Sequence, residues 1–505
     1  MTGGKKRAFK RGAGILCHIS SLPGKYGIGS LGKEAYDFVD FLERSKIKYW
    51  QILPLVQTGY GDSPYQSVCC NSVNPYFIDL EQLCKQGLLD SDELKEAEMS
   101  GGRVDYGGLY ERRYATLRLA YARFNINDRS FKKFVDSGLY DDYALFMSLK
   151  SVYGGTYRDW PRAYKFHEEL ALSEFKENAY KKQYCFWQFL QYQFLKQWKA
   201  LKAYANNKGI EIIGDIPLYV ADDSSDLWAH PEMFLVDEDL NPTEVAGVPP
   251  DYFSVTGQLW GNPLYDWDYA ERDGYRWWTE RIKRSCELYD IVRIDHFRGF
   301  DRYYAIPASA TTAEIGSWRK GPGMKLFEAA ANALGSVKII AEDLGVIDDG
   351  VIALREATGF PGMKIMLFAF DGNENNEYLP KFITENTVTY TGTHDNDTVL
   401  GFILGMDDAQ FIKFRKSLRA ALKSEGVSYP IVSRQDAARA LVKCALGTKS
   451  DMCIIPVQDI LGLDNSARMN VPSTSSGNWQ FRLENIPDRR IAAWLRYAVK
   501  SSGRE

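Results

Sequence analysis

The chain has 505 residues, with 62 Lys+Arg against 66 Asp+Glu, 45% hydrophobic and 14% aromatic residues. Aromatic content at this level with a formal net charge of −4 excludes a disordered chain and supplies apolar surface for a large core. The near-balanced charge offers no long-range attraction for nucleic acid or anionic lipid, so neither is expected as a partner and small neutral ligands stay in contention.

The basic start, MTGGKKRAFKRGAG, is followed by no apolar stretch, and no run of about 18 apolar residues occurs, so neither a secretory signal nor a membrane span is expected. The eight cysteines are scattered without a CxxC pair and read as reduced thiols of a cytoplasmic protein. The lack of a Ser/Arg-rich leader favours a bacterial cytoplasm, although a trimmed protein of the plant plastid stroma would look the same. His18, His167, His230, His296 and His394 lie far apart, with no HxH or HExxH spacing, and no metal site is expected.

Eight short apolar runs bounded by turn residues occur in chain order. They are GILCHIS (14–20), YWQILPL (49–55), IEIIGDIPLYV (210–220), IVRIDHF (291–297), VKIIAEDL (337–344), KIMLFAF (364–370), VTYTGTHD (388–395) and MCIIPVQD (452–459). Continuous runs rather than alternation indicate strands buried on both faces, and helical patterns separate them, as at 34–44 and 436–446. The fold class expected is α/β, a (β/α)8 TIM barrel. The competing open doubly wound sheet lacks a GxGxxG after a strand. Large insertions come after strands 2 and 3. Residues 1–55 hold strands 1 and 2, 56–209 a largely helical inserted subdomain, and 210–505 strands 3 to 8, with 221–290 a loop-rich insertion over the active site. Within the first insertion, Trp187, Leu190, Phe194, Trp198, Leu201 and Ala205 recur at helical spacing in a Pro- and Gly-free stretch from Ser173 to Lys208, an amphipathic helix packed on the barrel. The residues beyond the eighth strand suffice for a loop and a terminal helix, so no C-terminal β-sandwich domain is expected.

Barrel active sites lie at the carboxyl ends of the strands, where these runs place Asp215, Asp295, Glu342, Asp395 and Asp459. Strand period two puts Arg293 on the same face as Asp295, a guanidinium beside a carboxylate. Glu342 and Asp343 are neighbours that point to opposite faces, so one of them enters the barrel mouth. Thr391, Gly392 and Thr393 leave room for a bulky ligand before His394 and Asp395. Singly, each acid could cap a helix or bind a lysine. Converging carboxylates instead repel, which raises one pKa and leaves another group charged, the division of labour that glycosidic cleavage needs.

The chain resembles the 4-α-glucanotransferases called amylomaltases or disproportionating enzymes, a branch of the α-amylase clan. The resemblance runs from GILCHISSLPGKYGIGSLG through LPLVQTGYGDSPYQS, GDIPLYVADDSSDLWA, GVPPDYFSVTGQLWGNPLY, VRIDHFRG and AEDLG to GTHDNDT, nearly the whole chain. It implies Asp295 as nucleophile, Glu342 as general acid/base and Asp395 as transition-state stabiliser. It also implies Arg293, His296, His394 and Asp215 around the sugar at the cleavage point, and Tyr60, Ser63 and Tyr65 near donor sugars. Tyr252 and Phe253, with Gln258, Trp260 and Asn262, fall on the acceptor-side loop. Sugar faces stack on aromatics while hydroxyls need polar forks, and GVPPDYFSVTGQLWGNP supplies both; composition alone leaves packing or sugar contact open there. The implied reaction is transfer of an α-1,4-glucan segment to the 4-hydroxyl of glucose or another glucan, with malto-oligosaccharide donors and no cofactor.

The same acids would serve an α-glucan hydrolase, and the choice between them rests on the resemblance. A non-catalytic glucan-binding protein could lose any of the three acids, and none is lost. A metal-dependent barrel hydrolase lacks clustered histidines, and a phosphosugar aldolase or isomerase lacks a strand-end lysine, since Lys338 and Lys364 lie early in their runs.

Overall fold

The computed structural model describes residues 9–178, 180–250, 254–474 and 476–505. Tyr252 and Phe253 lie outside them, as does the side chain of Tyr60.

The chain order of strands is β1 (Gly12–Leu16), β2 (Tyr49–Gln51), β3 (Glu211–Ile216), β4 (Glu244–Val248), β5 (Gln258–Pro263), β6 (Ile291–Ile294), β7 (Arg302–Pro307), β8 (Ser317–Lys320), β9 (Ile339–Ala341), β10 (Gly362–Ile365), β11 (Thr387–Tyr390) and β12 (Met452–Pro456). Eight of these pair in parallel in the order β10-β11-β12-β1-β2-β3-β6-β9, and each of the eight expected runs contributes one. The Ala341 N–H donates to the Pro361 carbonyl (3.0 Å), joining β9 to the start of β10 and closing the (β/α)8 barrel. β1 and β12 are buried at every residue, as strands enclosed on both faces require. They approach so closely that a Cβ on Gly14 would lie 2.4 Å from Ile454 Cδ1. At the other end of the barrel from the active site, the fully buried Arg504 donates to the carbonyls of Gly12, Leu446, Thr448, Ser450 and Asp451, tying the start of β1 to the chain that leads into β12.

After β2 the chain makes a series of helices that ends in the 27-residue helix Lys181–Asn207. Trp187, Leu190, Phe194, Trp198, Leu201 and Ala205 are all buried there, a core stripe. The uninterrupted helix expected from Ser173 is in fact two, because Glu169–Glu177 stops at Asn178, whose backbone is non-helical (φ −106°, ψ −125°). Tyr180, beyond the break, stacks back on Phe175 with ring centroids 4.5 Å apart.

The segment 221–290 departs further from its loop-rich reading. It carries β4 and β5 and the helices Trp267–Arg272 and Arg276–Leu288. β4 and β5 join β7 and β8, which come after barrel strand β6, in an antiparallel sheet of order β5-β4-β7-β8. This sheet stands at the barrel mouth, with Gln258, Leu259 and Trp260 of β5 facing the cleft below.

Candidate active site

Asp215, the last residue but one of β3, lies directly opposite Arg293 of β6, a register that turns both side chains toward the barrel mouth. Nη1 of Arg293 donates to both oxygens of Asp215 (2.8 and 2.7 Å), and Nη2 donates to Asp295 Oδ1 (2.9 Å). The Tyr65 hydroxyl donates to Asp215 Oδ2 at 2.8 Å. Burial pushes Asp215 above the usual carboxylate value and the guanidinium opposes it. Arg293 is thus locked between two carboxylates, of which only Asp295 keeps substantial exposure, at 30% of its side chain.

The turn after β6 brings in the second acid. His296 adopts a left-handed conformation (φ 50°, ψ 48°), uncommon outside glycine and asparagine, and this aims its N–H at Glu342 Oε2 (2.6 Å). Leu344 N–H donates to Glu342 Oε1 at 2.8 Å. Burial first, and then the charge on Asp295, push Glu342 up to about 7, against the pull of Arg293 and the two N–H donors. Asp343 points away, where it accepts from Arg355 Nη1 and Met363 N–H, both at 2.7 Å, so Glu342 is the member of the pair that enters the mouth.

The third acid, Asp395, is half-exposed, and its Oδ1 accepts from Asn470 Nδ2 (2.7 Å) with His394 Nε2 3.3 Å away. Arg468 holds the same residue by its carbonyl (2.8 Å). The His394 ring stacks on Tyr65 (centroids 5.0 Å, planes 16° apart), and Trp479 leans on both rings. His296 meets the edge of Trp260 at 4.9 Å, and burial drops its imidazole to about 4, keeping it neutral near pH 7. His18, deeper in the barrel, accepts the Leu53 N–H on Nδ1 (3.2 Å); burial, then the charge of His394, lower it to about 3.

Tyr65, Asp295, His296, His394, Asp395, Asn470 and Trp479 line one cleft of about 460 Å³ that also includes Gly61, Ser63, Gln258, Trp260 and Asn262. Asp215, Arg293 and Glu342 stand behind that lining, bonded to Tyr65, Asp295 and the His296 N–H in turn. The structure therefore brings together Asp215, Arg293, Asp295, His296, Glu342, His394, Asp395, Tyr65, Ser63, Gln258, Trp260 and Asn262. Asn262 and Gln258, like Asp215 and Arg293, have polar groups engaged within the protein. Asn262 is buried, donating to the Val220 carbonyl (2.7 Å) and pairing its amide with that of Gln66 (3.2 and 3.4 Å). Gln258 Oε1 accepts from Trp260 Nε1 (3.2 Å). Asp459, placed at a strand end by the sequence, is not in this cleft. It is buried in the short helix Val457–Leu461, accepting from Thr391 Oγ1 (2.6 Å) and the Val399 N–H (2.7 Å). Sequence reasoning missed Tyr219, Arg468, Asn470 and Trp479. The signal for the last three is a Pro- and Gly-punctuated loop that begins after the last barrel strand, where barrel loops carry function. Among the described residues no group of three or more His, Cys, Asp or Glu side chains is placed to hold a metal ion.

A (β/α)8 barrel that gathers carboxylates and an arginine at the carboxyl ends of its strands has the architecture of the barrel enzymes, whose active sites lie there. Comparison with known proteins narrows the class. A family model described as 4-alpha-glucanotransferase matches residues 17–487. A 4-alpha-glucanotransferase of Clostridium butyricum is 46% identical over 96% of this chain and 99% of the relative, and one of Thermus thermophilus is 45% identical over 94% and 95%. The solved amylomaltase from Streptococcus agalactiae in complex with acarbose superposes with a TM-score of 0.92 at 39% identity, covering 98% of this chain and 100% of that one. The chain belongs to the 4-α-glucanotransferase family.

Proposed function

We propose that this enzyme transfers α-1,4-glucan segments by a retaining double displacement in which Asp295, Glu342 and Asp395 have separate tasks. Asp295 attacks the anomeric carbon; the bond from that carbon to the glycosidic oxygen breaks, and its electron pair leaves on the oxygen, which takes the proton of Glu342. Ionised Glu342 then accepts the proton of an acceptor 4-hydroxyl as that oxygen attacks the same carbon and expels Asp295. Asp395, held by Asn470, faces the positive charge that develops on the sugar ring in both steps. The observation that carries this reading is the geometry of the two acids: Asp295 bonded to its arginine, and Glu342 bonded to the next residue's N–H and raised by burial to about 7, where a carboxyl can act as an acid.

Donors are malto-oligosaccharides and longer α-1,4-glucans; glucose or a glucan is the acceptor. His296, His394, Tyr65 and Ser63 bind around the reacting sugar, Asp215 acts behind them by holding Arg293 and Tyr65, and the loop of Tyr252 and Phe253, with Trp260, takes the acceptor. Transfer wins over hydrolysis when the acceptor is bound and water is kept from the glycosyl-enzyme. The enzyme works in the cytoplasm, a reading supported by its eight unpaired thiols.

The test is incubation with maltotriose, resolving products by length while counting reducing ends. Glucose and longer oligomers at a constant count mean transfer. A count that rises with product means hydrolysis on the same scaffold, and no product at all returns the binding-protein reading. Asp295→Asn should abolish turnover with the circular dichroism spectrum unchanged; retained turnover would overturn the nucleophile assignment.

A further inference from the structure

Arg281 lies outside the barrel on the helix Arg276–Leu288, 2% exposed, and among the described residues no carboxylate is bonded to it. Burying a guanidinium is costly unless its N–H groups are used. Nη2 donates to the Pro217 carbonyl (2.6 Å) and Nη1 to the Leu218 carbonyl (3.0 Å) and the Tyr265 hydroxyl (3.2 Å). That hydroxyl in turn donates to the Leu218 carbonyl (2.9 Å). The guanidinium lies over the ring of Trp278 at 4.7 Å and near Trp277 at 5.5 Å. Asp226 supplies a buried counter-charge at a distance, its own oxygens taking the N–H (2.7 Å) and S–H (2.9 Å) of Cys70.

The two carbonyls belong to the exit of β3, where the strand has run out of ladder partners. That exit carries much of the site. Asp215 holds Arg293, the Ile216 carbonyl accepts the backbone N–H of Asp295 (2.9 Å), and Pro217, Leu218 and Tyr219 line the cleft. Leu218 also packs under the His296 turn so tightly that a Cβ on Gly299 would lie 2.3 Å from its Cδ2.

We infer that Arg281 is a positioning residue for glycosyl transfer, fixing the β3 exit and, through it, the placement of Asp215 and Asp295 without touching the substrate. The inference rests on Asp295 being the nucleophile. Its test compares Arg281→Met, Arg281→Lys and Tyr265→Phe on maltotriose and on α-maltosyl fluoride, well below each variant's Tm. For Arg281→Met, kcat is expected to fall about 10-fold or more on both donors with KM nearly unchanged, because small misplacement of reacting groups is expensive. Lys keeps a charged donor and should restore part of the rate, and Tyr265→Phe should lie between. A residue that only stabilises the fold would lower Tm and leave kcat per folded molecule as in the parent, and that result would overturn the inference. If Arg281→Met does not fold, parental kcat in both milder variants overturns it equally. Turnover by Asp295→Asn would instead bring down the nucleophile assignment, a separate outcome.

Discussion

Glu342 owes its acidity to its surroundings, and that makes it separable from Asp295 by experiment. A carboxyl raised from 4.5 to about 7 keeps its proton in about half of the molecules at neutral pH and can donate it to a leaving oxygen. The rate on maltotriose should therefore decline on the alkaline side with a midpoint near 7. Glu342→Gln is expected to lose about 10²- to 10⁴-fold on maltotriose and far less in glycosyl-enzyme formation from α-maltosyl fluoride, whose leaving group needs no proton. Equal losses on both donors would count against the acid role. The same shift has a stability consequence of definite sign. Between 4.5 and about 7 the unfolded carboxyl is ionised while the folded one keeps its proton, so Glu342 makes stability fall as pH rises through that window. Replacing it by Gln should flatten the pH dependence of Tm there.

At the scale of elements, the eight barrel strands were legible because each falls in a short, largely apolar run bounded by turn residues, the pattern of a parallel sheet covered on both faces. The alternation along VRID likewise foretold that Arg293 and Asp295 share a face. The antiparallel sheet was not legible. β4 and β5 contain glycine, β5 also ends in proline, β8 (SWRK) is exposed throughout, and the β4–β7 pairing spans distant sequence, so no local pattern announces them. Asp459 shows how strand-end logic misplaces a residue. Proline ends β12, the chain turns at once into the helix Val457–Leu461, and the carboxylate is spent on the first N–H of the helix Val399–Leu404 and on Thr391. Asp459→Asn should keep the parental kcat while lowering stability by about 1–3 kcal/mol, the cost of weakening a buried charge-assisted contact. A large fall in kcat without loss of stability would return Asp459 to the catalytic set.

The whole molecule depends on how the helical insertion is fastened to the chain beyond β3, and one of the fastenings titrates. His230, just past the helix Ser225–Ala229, has Nδ1 3.5 Å from Glu232 Oε1 and Nε2 3.8 Å from Asp142 Oδ2. Asp142 belongs to the insertion helix Asp141–Tyr153 and also faces His167 Nε2 at 3.3 Å, while Asp226 and Arg284 contribute from the elements packed around it. The hydrogen bond to Glu232 and then the charge on Asp142 raise His230 above the ordinary imidazole value, against desolvation. A histidine raised on folding adds stability that is fully present below its unfolded pKa near 6.5 and is lost as pH rises through the folded value. His230→Gln keeps the size and polarity of the side chain but cannot charge. The Tm difference between parent and variant should therefore be greatest below 6.5 and shrink toward alkaline pH. Solvent screening of this half-exposed imidazole keeps the difference small. A difference that stays constant with pH would show that the imidazole acts through packing against its neighbours and not through its charge.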